Sequence, residues 1–290
     1  MIQKILITGA SSGFGYLTAM TLLERGHRVV ASMRDPGGRN REVAEQLAVA
    51  GAQIVEIDVT DDYSVEKGTR TAVELAGGLD VLVNNAGIGV SGLQECFTPD
   101  DWRRLFDINL FGVQRMSRAL IPLFRHQRSG LLLYLSSVLG RITIPFYGPY
   151  NASKWALEAL AENYRSELSA FGVDSCIVEP GGYKTAFIER LLRPSDTSRD
   201  RDYGELADAP AESLASFEHT LEVHREQNPQ NVADTIVRLI EAPAGSRPFR
   251  SVVDNMGMGE AIGEYNEHLD QVTAGIYQAA GIGDMLLLKD

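Results

Sequence analysis

The chain has 290 residues, is 44% apolar, and sets 27 lysines and arginines against 39 acidic side chains, a net charge of −12. Nucleic-acid phosphates would repel that surface, and no apolar run reaches the ~20 residues that span a bilayer, so neither nucleic acid nor membrane is expected as a partner. Met1 leads straight into an apolar run with no secretory leader, and a cytoplasmic protein is expected.

In chain order, strands are predicted near residues 2–8, 27–33, 52–57, 79–84, 130–136, 173–179 and 249–254. Helices are predicted near 14–25, 40–50, 62–76, 100–127, 150–171 and 230–242. This alternation predicts an α/β fold, a doubly wound parallel sheet of about seven strands with helices on both faces, in a single domain spanning 1–290. Ligands of such sheets bind at the C-terminal edge of the strands.

The first strand is short and apolar, and runs directly into Thr8, Gly9, Ala10, Ser11, Ser12, Gly13, Phe14 and Gly15 before a helix pattern through Leu17, Met20 and Leu23. A glycine-rich turn between strand and helix lets backbone N–H groups approach a pyrophosphate at the helix N-terminus. Alone, such a turn could be ordinary loop chemistry; the strand–turn–helix setting favours a dinucleotide.

Farther along, Ser137 ends an apolar strand, and Tyr150 stands four residues before Lys154 at the start of a helix pattern. Positions i and i+4 share a helix face, so phenol and ammonium can converge. A lysine charge lowers a tyrosine pKa, but moving it from ~10 to about 7 takes ~4 kcal/mol, more than one surface charge supplies. A partly buried site with a second positive charge would supply the rest. Spacing alone is weak, since Tyr63 and Lys67 repeat it in what reads as a solvated helix. Tyr147 has Asn151 at i+4 and reads as a pocket wall. Cys96, Cys176 and five scattered histidines show no metal-type spacing, so no metal is expected.

With Asp58–Val59, Asn84-Asn85-Ala86-Gly87, Asn109-Leu110-Phe111-Gly112 and Pro180–Gly181 with Thr185 added in order, the chain resembles the short-chain dehydrogenase/reductase family in its compact, non-extended branch, over roughly residues 2–255. The resemblance implies a Rossmann-type fold and an NAD(P)-dependent oxidoreductase that passes a hydride between the cofactor and the carbonyl or alcohol carbon of a small molecule. By the same resemblance Tyr150 is the general acid/base, Ser137 polarises the substrate oxygen, Lys154 also binds the nicotinamide ribose, and Asn109 holds a relay water. Asp58 would bond the adenine amino group, Val59 donate a backbone N–H, Asn85, Ala86 and Gly87 line the adenosine ribose, and Thr185 hold the carboxamide. Asp58 could instead cap its helix, Pro180–Gly181 be only a turn, and Asn109 serve its helix backbone.

NAD-using relatives place an acid where this chain has Met33. Here the acid is absent and Arg34 follows, with Arg39 and Arg41 close by, which favours NADP(H) over NAD(H). A solvated loop arginine is the alternative, and Asp35 lies close enough to complicate the choice.

The irregular stretch of about 186–228 reads either as a substrate lid, with Phe187, Ile188, Leu191 and Leu192 as its apolar face, or as a solvated loop. Leu139, Phe146, Tyr147 and Tyr183 fall where the family has substrate contacts, and suit a medium-sized apolar alcohol or ketone, steroid- or retinoid-like. A tail of about 255–290 carries Ile262, Tyr265, Leu269, Val272 and Ile276 as one helix stripe, expected to pack on the core or on a partner subunit. The family associates through the long helices near 100–127 and 150–171, so a homodimer or homotetramer is expected, the tail making the tetramer less certain. An NADP-binding redox-sensing regulator without turnover is the alternative function; such relatives typically lack the tyrosine or lysine kept here.

Overall fold

Seven strands form one parallel sheet in a computed structural model that describes residues 1–289. They are β1 (Lys4–Ile7), β2 (Arg28–Met33), β3 (Gln53–Glu56), β4 (Val81–Asn84), β5 (Gly130–Leu135), β6 (Val173–Pro180) and β7 (Arg250–Val253), in the order β3-β2-β1-β4-β5-β6-β7. Every pairing is parallel. The strand order reverses beside β1, which opens a crevice between β1 and β4 at their carboxyl ends.

The central strands are apolar on both faces because both faces are covered. Ile5 and Ile7 of β1 join one core with Ala19 and Leu22 of α1 (Gly13–Glu24) and Val232, Ile236 and Ile240 of α9 (Gln230–Glu241). The alternating Leu6 joins the opposite core with Leu82, Leu132, Met116 and Phe124 of α5 (Gly112–Gln127), and Leu157 of α6 (Gly148–Leu168). Two helices complete the first half of the chain, α2 (Arg41–Val49) and α3 (Asp62–Ala76). The start of α3 is fixed by Asp61, whose carboxylate accepts from the Ser64 amide at 2.6 Å. Asp61→Ala is expected to lower stability by about 1 kcal/mol in urea unfolding, and an unchanged midpoint would show that the cap contributes nothing.

One long helix, expected over 100–127, is interrupted. It divides into α4 (Pro99–Phe106), a π-helical turn (Asp107–Phe111) and α5. The turn carries Asn109, whose side chain bonds outside the helix ladder, and π turns of this kind often mark functional sites.

The stretch expected as lid or solvated loop is ordered. It contains α7 (Ala186–Glu189), a 3₁₀ segment over Asp200–Ala207 and α8 (Ala209–Val223). Leu192 forms a parallel bridge with Val90, and its amide donates to the Gly89 carbonyl at 2.9 Å, so this segment is fastened to the loop after β4.

The tail forms α10 (Gly259–Ala279). Of the expected stripe, Ile262 is buried while Tyr265, Val272 and Ile276 are exposed. The inward face instead presents Asn266, which is 5% exposed, because the surface it meets is charged.

Candidate active site

A cleft of about 710 Å³ runs along the carboxyl edge of the sheet. At one end the glycine-rich turn presents Gly9, Ser11, Ser12, Gly13 and Phe14. Gly9 has φ 65, and a β-carbon there would lie 2.9 Å from the Ala86 backbone, so only glycine fits. Gly15, just behind the wall, packs its α-carbon face on Gly9 and Asn85 with no space for a side chain. The first turn of α1 carries no acidic residue and no side-chain cap, leaving its N–H groups open to an anion.

Thr8 and Asn85 hold this turn in place. The Thr8 hydroxyl accepts from the amides of Asn85 and Ala86, both at 3.0 Å. The Asn85 side-chain amide donates to the carbonyls of Thr8 at 2.8 Å and Gly9 at 3.1 Å. Ala86 and Gly87 continue the wall.

Beyond β2 the cleft is walled by Met33, Arg34, Arg39, Asp58 and Val59. Arg34 stands 3.9 Å from the Asp58 carboxylate. Partial burial pushes that carboxyl up, but hydrogen bonds from the Thr60 amide and hydroxyl and the charges of Arg34 and Arg39 outweigh it, so Asp58 lies below its ordinary range. The Asp35 carboxylate accepts from the Arg39 amide at 3.0 Å within its own turn and is not part of the cleft wall. Cleft and open helix N-terminus therefore fit a dinucleotide.

At the other end stand Ser137, Tyr150 and Lys154. Ser137 follows β5, its hydroxyl accepting from the Leu139 amide at 3.1 Å and donating to the Pro180 carbonyl at 3.4 Å. The Ser137 hydroxyl counters the burial that pushes the Tyr150 phenol up to about 12. Phenol and ammonium share a helix face. Lys154 Nζ lies 5.6 Å from the centre of the Tyr150 ring and donates to the Leu135 carbonyl at 2.6 Å. Burial lowers Lys154 to about 8, with Glu158 opposing.

Asn109 sits behind the wall, 1% exposed. Its oxygen accepts from the Ile88 amide at 2.9 Å, and its amide donates to the Ile88 carbonyl at 2.9 Å and the Ser153 hydroxyl at 3.1 Å. A β-carbon at Gly87 would touch both Asn109 Oδ1 and Lys154 Nζ, so the two side chains face one small space.

The remaining wall is largely apolar. Leu139 and Tyr147 line it, with Phe187, Leu191, Leu214, Phe217 and Met258 from the segments that follow β6 and β7. Phe187 packs edge-on to Tyr150 with ring centres 5.8 Å apart. Tyr183 contributes its ring only: it meets Phe14 edge-on at 5.4 Å, and its hydroxyl donates to the Val253 carbonyl at 3.0 Å. Phe146 does not line this cleft. Held at φ 73, with its carbonyl accepting from Gly92, it borders a separate groove with Trp102 and Trp155. Thr185 caps α7 and sits against Gly13, beside Pro180 and Gly181.

Sequence patterns did not single out Arg190 or Met258. Arg190 reaches from the end of α7 to within 3.5 Å of the Ser12 hydroxyl, over the glycine-rich turn. Nothing in local spacing marks it, because its partner is 178 residues away. Among the described residues no group of three His, Cys, Asp or Glu is placed to hold a metal, and no helix is long and apolar enough to cross a membrane.

Residues 3–195 match the model of a protein family described as short chain dehydrogenase. The chain is 34% identical over 251 residues to a 3-ketodihydrosphingosine reductase of Bacteroides thetaiotaomicron, covering 87% of each chain. It is 36% identical over 248 residues to human 17-beta-hydroxysteroid dehydrogenase type 1, covering 82% of this chain and 74% of the other. The crystal structure of a short-chain dehydrogenase from Streptomyces avermitilis superposes with a TM-score of 0.74 at 28% identity, covering 98% and 99% of the two chains. Sheet order, cleft and sequence agree: the chain belongs to the short-chain dehydrogenase family of oxidoreductases.

Proposed function

We propose that the protein is an NADP-preferring alcohol dehydrogenase or carbonyl reductase acting on a medium-sized apolar substrate. The observation that carries this reading is the convergence of Ser137, Tyr150 and the buried Lys154 on one apolar-walled cleft. In reduction the substrate oxygen lies between the two hydroxyls, whose hydrogen bonds strengthen as negative charge grows on it. Bound NADPH supplies the hydride. Tyr150 gives its proton to the oxygen as general acid. With its phenol pushed up to about 12, Tyr150 is protonated throughout the neutral range. Lys154 and Asn109, facing one space beside Gly87, would hold the nicotinamide ribose and return a proton from solvent.

The substrate class is supported by the aromatic and leucine walls and by the two relatives, named for a ketodihydrosphingosine and a hydroxysteroid. Exposed Phe111, Trp155 and Phe171, on or beside α5 and α6, support association into a homo-oligomer.

NADP preference is carried by Arg34 and Arg39. The double substitution Arg34→Gln with Arg39→Gln is expected to weaken NADPH more than about tenfold while NADH changes little, since each charge-assisted contact is worth ~1.5–3 kcal/mol. Fluorescence titration with both nucleotides checks this. Equal loss for both would show that the arginines do not read the 2′-phosphate.

A further inference from the structure

Behind the cleft, away from the cofactor and substrate walls, lies a buried ion cluster built from five segments. Arg141 follows the Ser137 turn, 7% exposed; its Nε donates to the Gly140 carbonyl at 3.1 Å and its Nη1 to Glu158 Oε2 at 3.3 Å. Glu158 is 1% exposed and stands on α6 four residues after Lys154 and eight after Tyr150. The same Oε2 accepts from Arg250 Nε of β7 at 3.0 Å. Arg250 also pairs with Glu162 and with Asp270, the latter at 3.0 Å, and its Nε lies 3.6 Å from Glu179 Oε1. Glu179 is fully buried and directly precedes Pro180–Gly181.

Helix α10 completes the cluster. Asn266 donates to Glu179 Oε2 at 2.5 Å, Asp270 takes Arg250, and the Tyr265 ring lies 5.7 Å from the Arg141 guanidinium, opposite Trp155 at 5.5 Å. Buried charges are held only when paired, and losing one partner leaves the other uncompensated. All three segments that carry the site, the Ser137 turn, the Tyr150/Lys154 helix and the Pro180–Gly181 turn, are thus joined at one point that the tail helix seals.

We propose that Arg141 and Glu158 are positioning residues which hold the Ser137 turn against the Tyr150/Lys154 helix, and that α10 is the clasp that keeps them paired. The inference rests on the oxidoreductase reading for its kinetic part only. The guanidinium bridges a backbone carbonyl of the serine turn and a carboxylate of the helix at once, so loosening it lets Ser137 and Tyr150 drift apart. A misplacement of 1 Å can lower a rate ~10²-fold, so partial loosening of the clasp is expected to lower kcat about tenfold.

The test uses the full chain. Asp270→Asn and Tyr265→Ala change half-exposed positions of α10 outside the cleft wall. Each is expected to lower kcat about tenfold with substrate KM unchanged, per site counted by NADPH fluorescence. Glu158→Gln gives a second readout, the pH dependence of NADPH binding, which needs no substrate. Lys154 is faced by Tyr150 and Glu158 on its own helix, and Glu158 in turn by Arg141, Arg250, Glu162, Glu179 and Asp270. Removing the carboxylate while both arginines remain moves the alkaline midpoint of binding to lower pH, and Glu158→Asp restores it toward the wild-type value. If Glu158→Gln does not fold, the two α10 variants decide. Unchanged kcat in both α10 variants, or an unmoved midpoint in folded Glu158→Gln, overturns the proposal. A shifted midpoint in a protein that turns over no carbonyl would leave the clasp standing and remove the oxidoreductase reading instead.

Discussion

Replacing Tyr150 with phenylalanine is expected to lower kcat by about 10²–10⁴-fold and to leave NADPH affinity unchanged, the effect of deleting the proposed general acid. The substitution removes one oxygen and keeps the ring, which packs on Phe187 and on the small core of Val90, Phe97 and Leu105. Folding is therefore preserved, and the loss belongs to chemistry. Steady-state reduction of a ketone and aldehyde panel measures it. Residual activity within tenfold of wild type would mean that another group supplies the proton; tight NADPH binding with no turnover in the wild type would favour a nucleotide-sensing protein.

The second large effect belongs to Lys154. Its ammonium is buried, bonded to the Leu135 carbonyl, and lowered to about 8 by that burial. Below that pH the cation is present; as pH rises through it the proton is lost, and with it the charge beside the phenol. kcat/KM for the cofactor reports the free protein's groups, so it is expected to stay level below about 7 and fall above about 8. Tyr150, pushed up to about 12, does not titrate in that window. Lys154→Met keeps the apolar stem and removes the charge. It is expected to lower kcat at least ~10²-fold, at the lower end of general acid–base effects, and to abolish the alkaline limb. An alkaline limb that survives in the variant would assign it to a different group.

Much of the architecture was readable from the chain because parallel strands buried on both faces announce themselves as short apolar runs, and all seven lie within two residues of their expected ends. The glycine-rich turn and the serine, tyrosine and lysine were equally visible, each following a strand. Two features were hidden for physical reasons. The carbonyl that Lys154 binds, at the end of β5, lies 19 residues away and leaves no local signal. The tail was read by its apolar stripe, whereas its inward face is chosen by Asn266 and Asp270 meeting buried ions. Hydrophobic periodicity registers apolar partners only, and an ionic one leaves no period to find.

The hydrogen bonds of the glycine-rich turn carry a consequence for how the protein comes into being. Its carbonyls and hydroxyl are held by residues 85 and 86, which lie 76 to 78 positions later in the chain. A growing polypeptide therefore emerges with its glycine-rich turn unsupported, and the turn takes its shape only once β4 has docked beside β1. Three crossovers separate β1 from β4 in the chain, and pairings of such sequence separation come late and slowly. Nucleotide affinity is thus a property of the assembled sheet and not of the N-terminal segment that carries the glycines.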